Sequence, residues 1–165
     1  MSLHELEKLL GRLPPDRMGA EELRALAARA CFSDRCYTRT VLHRTEGWEL
    51  LLIGWLPRQH TAAHGHGDSF GATCLLEGTL TEVEYRLAPS GKVLKSERRR
   101  YRPGGVFHEQ PQTIHRVEHA GRVRAVSLHL YAPPLRQMEV YEELTGTSHP
   151  RRSGRRDPKS SVSAR

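Results

Sequence analysis

The pattern of apolar positions changes character once along the chain. Leu3, Leu6, Leu10 and Leu13 fall on one helical stripe ended by Pro14-Pro15, and Leu23, Leu26, Ala27 and Ala30 form a second after Gly19. From Tyr37 onward, short β-branched and aromatic-containing runs alternate with Gly, Pro or charged turns. They predict strands over roughly 37–44, 48–56, 60–66, 71–77, 79–87, 95–101, 105–108, 112–119, 123–131 and 137–142. So many strands at close spacing mean an all-β barrel or sandwich, here preceded by two short helices, and no repeat of helical or propeller type is visible. The predicted organisation is a helical segment over 1–36 packed on the barrel, a barrel over 37–146, and a tail over 147–165.

Composition agrees with one such domain. A chain of 165 residues, 37% hydrophobic and 27% charged, can bury a single core. No apolar run approaches the length of a membrane span, and the first residues lack a signal-peptide profile, so a cytoplasmic location without membrane contact is expected. The net charge of +7 suggests nucleic acid until it is located. From Ser148 to Arg165, six basic residues face only Asp157, a net +5 that leaves +2 for the other 147 residues. A segment rich in Arg, Ser and Pro cannot offset its ordering entropy, so the tail is predicted to be disordered and solubilising, and no specific nucleic-acid partner is expected. Cys31, Cys36 and Cys74 are odd in number and match no disulfide or zinc spacing, consistent with reduced thiols.

The chemistry-bearing residues are histidines. His64-Gly65-His66 places two imidazoles at i and i+2, which share one face of a strand, and His115 in a later strand-like run can supply a third. Three protein ligands leave coordination open, which suits chemistry better than a structural clamp. In Ser127-Leu128-His129-Leu130-Tyr131, the polar members alternate with leucines and lie along one face. If that face looks inward, Ser127, His129 and Tyr131 form a relay that orients the tyrosine hydroxyl; if outward, they are the polar side of an edge strand.

The histidines, with Gly71, Gly78, Gly105 and Pro111 around them, resemble the two cupin motifs, the signature of a double-stranded β-helix or jelly-roll barrel. The slot for a motif carboxylate holds Gly71, and Asp68 lies too early to serve. A longer match follows. Ala125 to Pro134, His115-Arg116-Val117-Glu118, His64-Gly65-His66 and Tyr37-Thr38-Arg39 together resemble the cysteine dioxygenases, the thiol dioxygenase branch of the cupins, over about residues 37 to 134.

That resemblance implies Fe(II) on His64, His66 and His115, and oxidation of L-cysteine by O2 to 3-sulfinoalanine, the sulfinic acid, in cysteine catabolism. Three neutral imidazoles would leave the ferrous charge uncompensated and favour capture of a thiolate. It further implies that Arg39 holds the substrate carboxylate with Tyr37 beside it, and that Tyr131 bonds near the thiol or O2 with His129 and Ser127 behind it. A monomer is implied as well.

Gly71 departs from the animal enzymes of this family, whose cysteine there joins the tyrosine in a thioether. Cys74 falls on the opposite face of a regular strand, so it is no substitute. The family's further C-terminal hairpin is also missing from the sequence, which leaves closure of the pocket on that side open. His119 reads as peripheral, and His60 and His108 as solvent-exposed. Two alternatives stand beside L-cysteine oxidation: the same reaction on 3-mercaptopropionate or another small thiol, against which Arg39 speaks, and a non-catalytic cupin module holding Zn2+ or nothing.

Overall fold

The computed structural model describes residues 20–144, and the expected first helical stripe and basic tail lie outside them. Helix α1 (Ala20–Ala27) corresponds to the second stripe, so of the two expected short N-terminal helices one is described. Ten strands follow: β1 (Thr38–Arg44), β2 (Glu49–Trp55), β3 (Ala63–Gly65), β4 (Phe70–Glu77), β5 (Leu80–Leu87), β6 (Val93–Tyr101), β7 (Val106–Glu109), β8 (Ile114–Glu118), β9 (Ala125–Ala132) and β10 (Glu139–Tyr141). They form two five-stranded antiparallel sheets, ordered β1-β2-β9-β4-β7 and β10-β3-β8-β5-β6. Among the described residues no helix is long and apolar enough to cross a membrane.

The predicted strands all occur, with those expected over 60–66 and 137–142 shortened to three residues each. The run expected over 60–66 is regular only at Ala63–Gly65, because His60 pairs with Glu118 as an isolated bridge and a break follows it. His66 therefore lies just past the strand end, where Gly67 turns the chain at φ 59°. That left-handed backbone is open to glycine at little cost.

Strand β9 is buried at every residue because both of its faces are covered. Leu128 and Val126 pack outward with Leu52, Cys74 and Ala27 of α1, so the helix seals the outer face of the first sheet. Cys74 thus sits on the face away from the barrel interior, as its parity in the strand requires. Full burial of a leucine side chain contributes on the order of 1.5–3 kcal/mol. Inside the barrel, Ile53, Trp55, Leu75, Leu80, Phe107 and Val117 fill one end. The other end, around Leu51, Tyr131 and Leu135, borders the polar groups described next.

Candidate metal centre

Strand pairing explains how histidines distant in sequence meet. His64 on β3 is directly opposite His115 on β8, and His66 follows one residue after β3. The ring centroids are 4.8 Å apart for His64 and His115, 4.9 Å for His64 and His66, and 5.0 Å for His66 and His115. Each offers a nitrogen, and these three atoms lie within 4.8 Å of one another. The trio is buried.

The remaining ring atoms indicate which nitrogens converge. Nδ1 of His64 is 2.9 Å from the Ala62 carbonyl, and Nδ1 of His115 is 3.0 Å from Glu82 Oε1. Both pairings leave Nε2 available. Nε2 of His66 and of His115 are buried without a hydrogen-bond partner, a costly condition that a cation would relieve. Burial, reinforced by His115, lowers the pKa of His64 to about 4 and that of His66 to about 2, so both rings are neutral and ready to donate lone pairs. For His115 burial opposes charging, but the carboxylates of Glu109 and Glu82 outweigh it and raise its pKa.

Two of the surrounding groups were not found by reading motifs. Glu82 on β5 and Glu109 on β7 are both buried, and Glu109 Oε2 faces His66 Nδ1 at 3.3 Å. Neither of these two atoms has an aligned hydrogen bond, so the approach is one of charge and dipole. Burial pushes the Glu109 carboxyl up to about 7. The motif's carboxylate slot is Gly71, yet carboxylates stand behind His115 and His66, supplied by strands adjacent in space. The pattern hid Glu109, because on β7 Val106 is exposed and the glutamate buried. Glu82 left a faint signal, an acid in step with the inward Leu80.

The polar face of β9 points inward, from the middle of a sheet, so the edge-strand reading fails. Ser127 Oγ is 2.7 Å from His129 Nε2, and His129 Nδ1 is 3.1 Å from the Tyr131 hydroxyl. The relay is longer than expected. Trp55 Nε1 donates to Ser127 Oγ at 2.9 Å, and Thr73 Oγ1 lies 2.8 Å from His129 Nδ1 and 3.1 Å from Glu109 Oε1. Burial lowers the pKa of His129 to about 3 and holds that of Tyr131 well above its usual value, so the ring is neutral and the phenol keeps its proton.

A narrow cleft joins these groups. His64, His115, His129, Tyr131, Tyr37 and Arg39 line it, so all the sequence-selected residues except His66 and Ser127 border the same space; His66 packs against His64, His115 and Tyr131, and Ser127 is bonded to His129. Tyr37 stacks on Trp55 with centroids 4.8 Å apart. Arg39 is an exposed residue of β1 that lines the cleft, and its positive charge contributes to lowering the pKa of His64, His66 and His129. Leu135 and Met138 wall the C-terminal side of the cleft. His60 and His108 are exposed, as expected. His119, expected to be peripheral, is buried and bridges the Thr79 and Val123 carbonyls, which makes it a staple between loops.

In comparisons with known proteins, residues 17–144 match the family model described as cysteine dioxygenase type I. The chain is 28% identical over 162 residues to cysteine dioxygenase type 1 of Rattus norvegicus, covering 88% of this chain and 81% of that one. The Homo sapiens protein of the same name gives 28% over 163 residues, with 88% and 81% covered. Among solved structures, a Klebsiella pneumoniae protein with a double-stranded β-helix domain superposes with a TM-score of 0.54 at 18% identity, over 76% of this chain and 96% of that one. An oxalate oxidase superposes with a TM-score of 0.55 at 16% identity, over 69% and 60%. These last two likenesses speak for the cupin fold alone.

Proposed function

This chain belongs to the cysteine dioxygenase type I family of the cupin superfamily and is a thiol dioxygenase, and from that premise we propose that it converts L-cysteine to 3-sulfinoalanine with Fe(II) as its metal. The carrying observation is the buried His64, His66 and His115 trio opening on a cleft that Arg39 also lines. Bound there, Fe(II) would supply a Lewis acid for the thiolate and the electrons that make O2 reactive. Both atoms of O2 end on the sulfur, so no external reductant is consumed.

The side chains divide the remaining work. Arg39 grips the substrate carboxylate through two parallel charge-assisted hydrogen bonds, and Tyr37, fixed by its stack on Trp55, sits beside it. A carboxylate held there directs the thiol toward the histidines. The Tyr131 hydroxyl donates a hydrogen bond toward the oxygen or sulfur at the centre, with His129 and Ser127 holding its orientation. Ile53 and Leu135 line the cleft and exclude water from the reacting sulfur. The Glu82 carboxylate behind His115 fixes the orientation of that ring and raises its basicity as a ligand.

The test is O2 uptake by chain loaded with Fe(II) under exclusion of air, with L-cysteine, 3-mercaptopropionate and cysteamine supplied separately. Uptake with L-cysteine well above the other two supports the reading. Equal rates with cysteamine would remove Arg39 from substrate choice, since that amine has no carboxylate. Higher rates with 3-mercaptopropionate would replace the proposed substrate.

A further inference from the structure

Gly71 on β4 is paired with Glu109 of β7 on one side and with Tyr131 of β9 on the other, so the three residues share one row across the sheet. Residues directly opposite in adjacent strands project to the same face. A Cβ at position 71 would fall inside contact distance of Glu109 Oε2 and 2.9 Å from Tyr131 Cε1. The glutamate carboxylate therefore occupies the room that a side chain at 71 would need. From there it reaches Thr73, whose hydroxyl lies 3.1 Å from Oε1.

Glu109 Oε1 accepts from Thr73, and that contact sets the direction of the row. Thr73 spends its one proton there and so accepts from His129 Nδ1–H, which leaves Nε2 to accept from Ser127, itself an acceptor of the Trp55 indole N–H. The ring proton of neutral His129 is thus on Nδ1, 2.8 Å from Thr73 Oγ1. The Tyr131 hydroxyl, 3.1 Å from Nδ1–H, serves His129 only as an acceptor, and its proton stays free for the cleft.

We infer that Glu109, admitted by the bare α-carbon of Gly71, is a positioning residue that terminates the hydrogen-bond chain Trp55, Ser127, His129, Thr73 and thereby leaves the Tyr131 proton to the cleft. The functional part of this inference rests on the thiol dioxygenase reading; the direction of the chain does not. Without the carboxylate, Thr73 has no acceptor other than His129 Nδ1 and returns its proton there, pushing the ring toward its Nε2–H form. Glutamine keeps an acceptor oxygen and preserves the direction.

The experiment is 15N NMR of the histidine rings in the metal-free chain, which reports the tautomer without iron or turnover. In the unaltered chain His129 is expected as Nδ1–H. Glu109→Ala should bring in the Nε2–H form, Gly71→Ala should do the same by displacing the carboxylate, and Glu109→Gln should restore Nδ1–H. With iron loaded, cysteine turnover should fall about tenfold in the two alanine variants, and Glu109→Gln should recover part of that loss. Finding Nε2–H in the unaltered chain, or undisturbed Nδ1–H in a folded Glu109→Ala or Gly71→Ala, overturns the inference. If Glu109→Ala does not fold, the unaltered chain and Gly71→Ala decide. Absent turnover with the expected tautomers would count against the proposed reaction and leave the positioning role standing.

Discussion

Glu82 Oε1 stands 3.0 Å from His115 Nδ1, with both side chains almost wholly buried and contributed by the neighbouring strands β5 and β8. A carboxylate in that position holds the Nδ1–H tautomer and aims Nε2 at the centre. Glu82→Gln should therefore weaken Fe(II) binding by about 10- to 100-fold while the chain still folds. Competition with a chromogenic chelator measures this, and unchanged affinity would separate Glu82 from the metal.

Arg39 is expected to act on the substrate carboxylate. Hydrogen bonds to charged groups contribute about 1.5–3 kcal/mol, so Arg39→Ala should raise the KM for L-cysteine by about 10- to 100-fold. Oxidation of cysteamine should be nearly unaffected. Steady-state O2 uptake with both thiols checks the contrast, and parallel losses would point to general damage instead.

Tyr131→Phe removes the hydroxyl and keeps the ring that packs 4.9 Å from His66. The prediction is a fall in kcat on the order of 100-fold, the cost of losing a donor aimed at developing charge. Unaltered kcat, with binding intact, would leave the hydroxyl idle.

Burial keeps His129 neutral, with its pKa lowered from 6.5 to about 3. A group lowered in the folded state gives stability that is complete above its unfolded pKa and is lost as pH falls toward the folded one. Between pH 6.5 and 4 the metal-free chain should lose up to about 1.4 kcal/mol per pH unit through this ring. Urea unfolding of the original chain and of His129→Gln measures it by difference, because the other buried groups are common to both. Equal slopes would contradict the assigned burial cost.

The legible parts of the molecule were those carried by local pattern. Local pattern placed all ten strands with boundaries off by up to three residues, and the largest shift, before Ala63, arose where His60 bridges without continuing a strand. His64, His66 and His115 were readable because spacing and strand periodicity put them on converging faces. Parity likewise set Ser127, His129 and Tyr131 inward, though only the sheet order shows that β9 is central. Glu109 was illegible for a physical reason. Its burial depends on the empty α-carbon of Gly71 in the next strand, and no local polarity pattern encodes a vacancy across a sheet. Trp55 and Thr73 joined the relay through register with β9 and through side-chain reach, which the residues alone do not state.

The most direct measurement uses 18O2 with iron-loaded chain and L-cysteine, followed by mass spectrometry of the product. The account predicts sulfinate carrying two labelled oxygens, one O2 consumed for each sulfinate formed, and loss of the product in His64→Ala, His66→Ala or His115→Ala. Cystine in place of sulfinate, oxygen drawn from water, or no uptake by folded chain with its iron in place would contradict it.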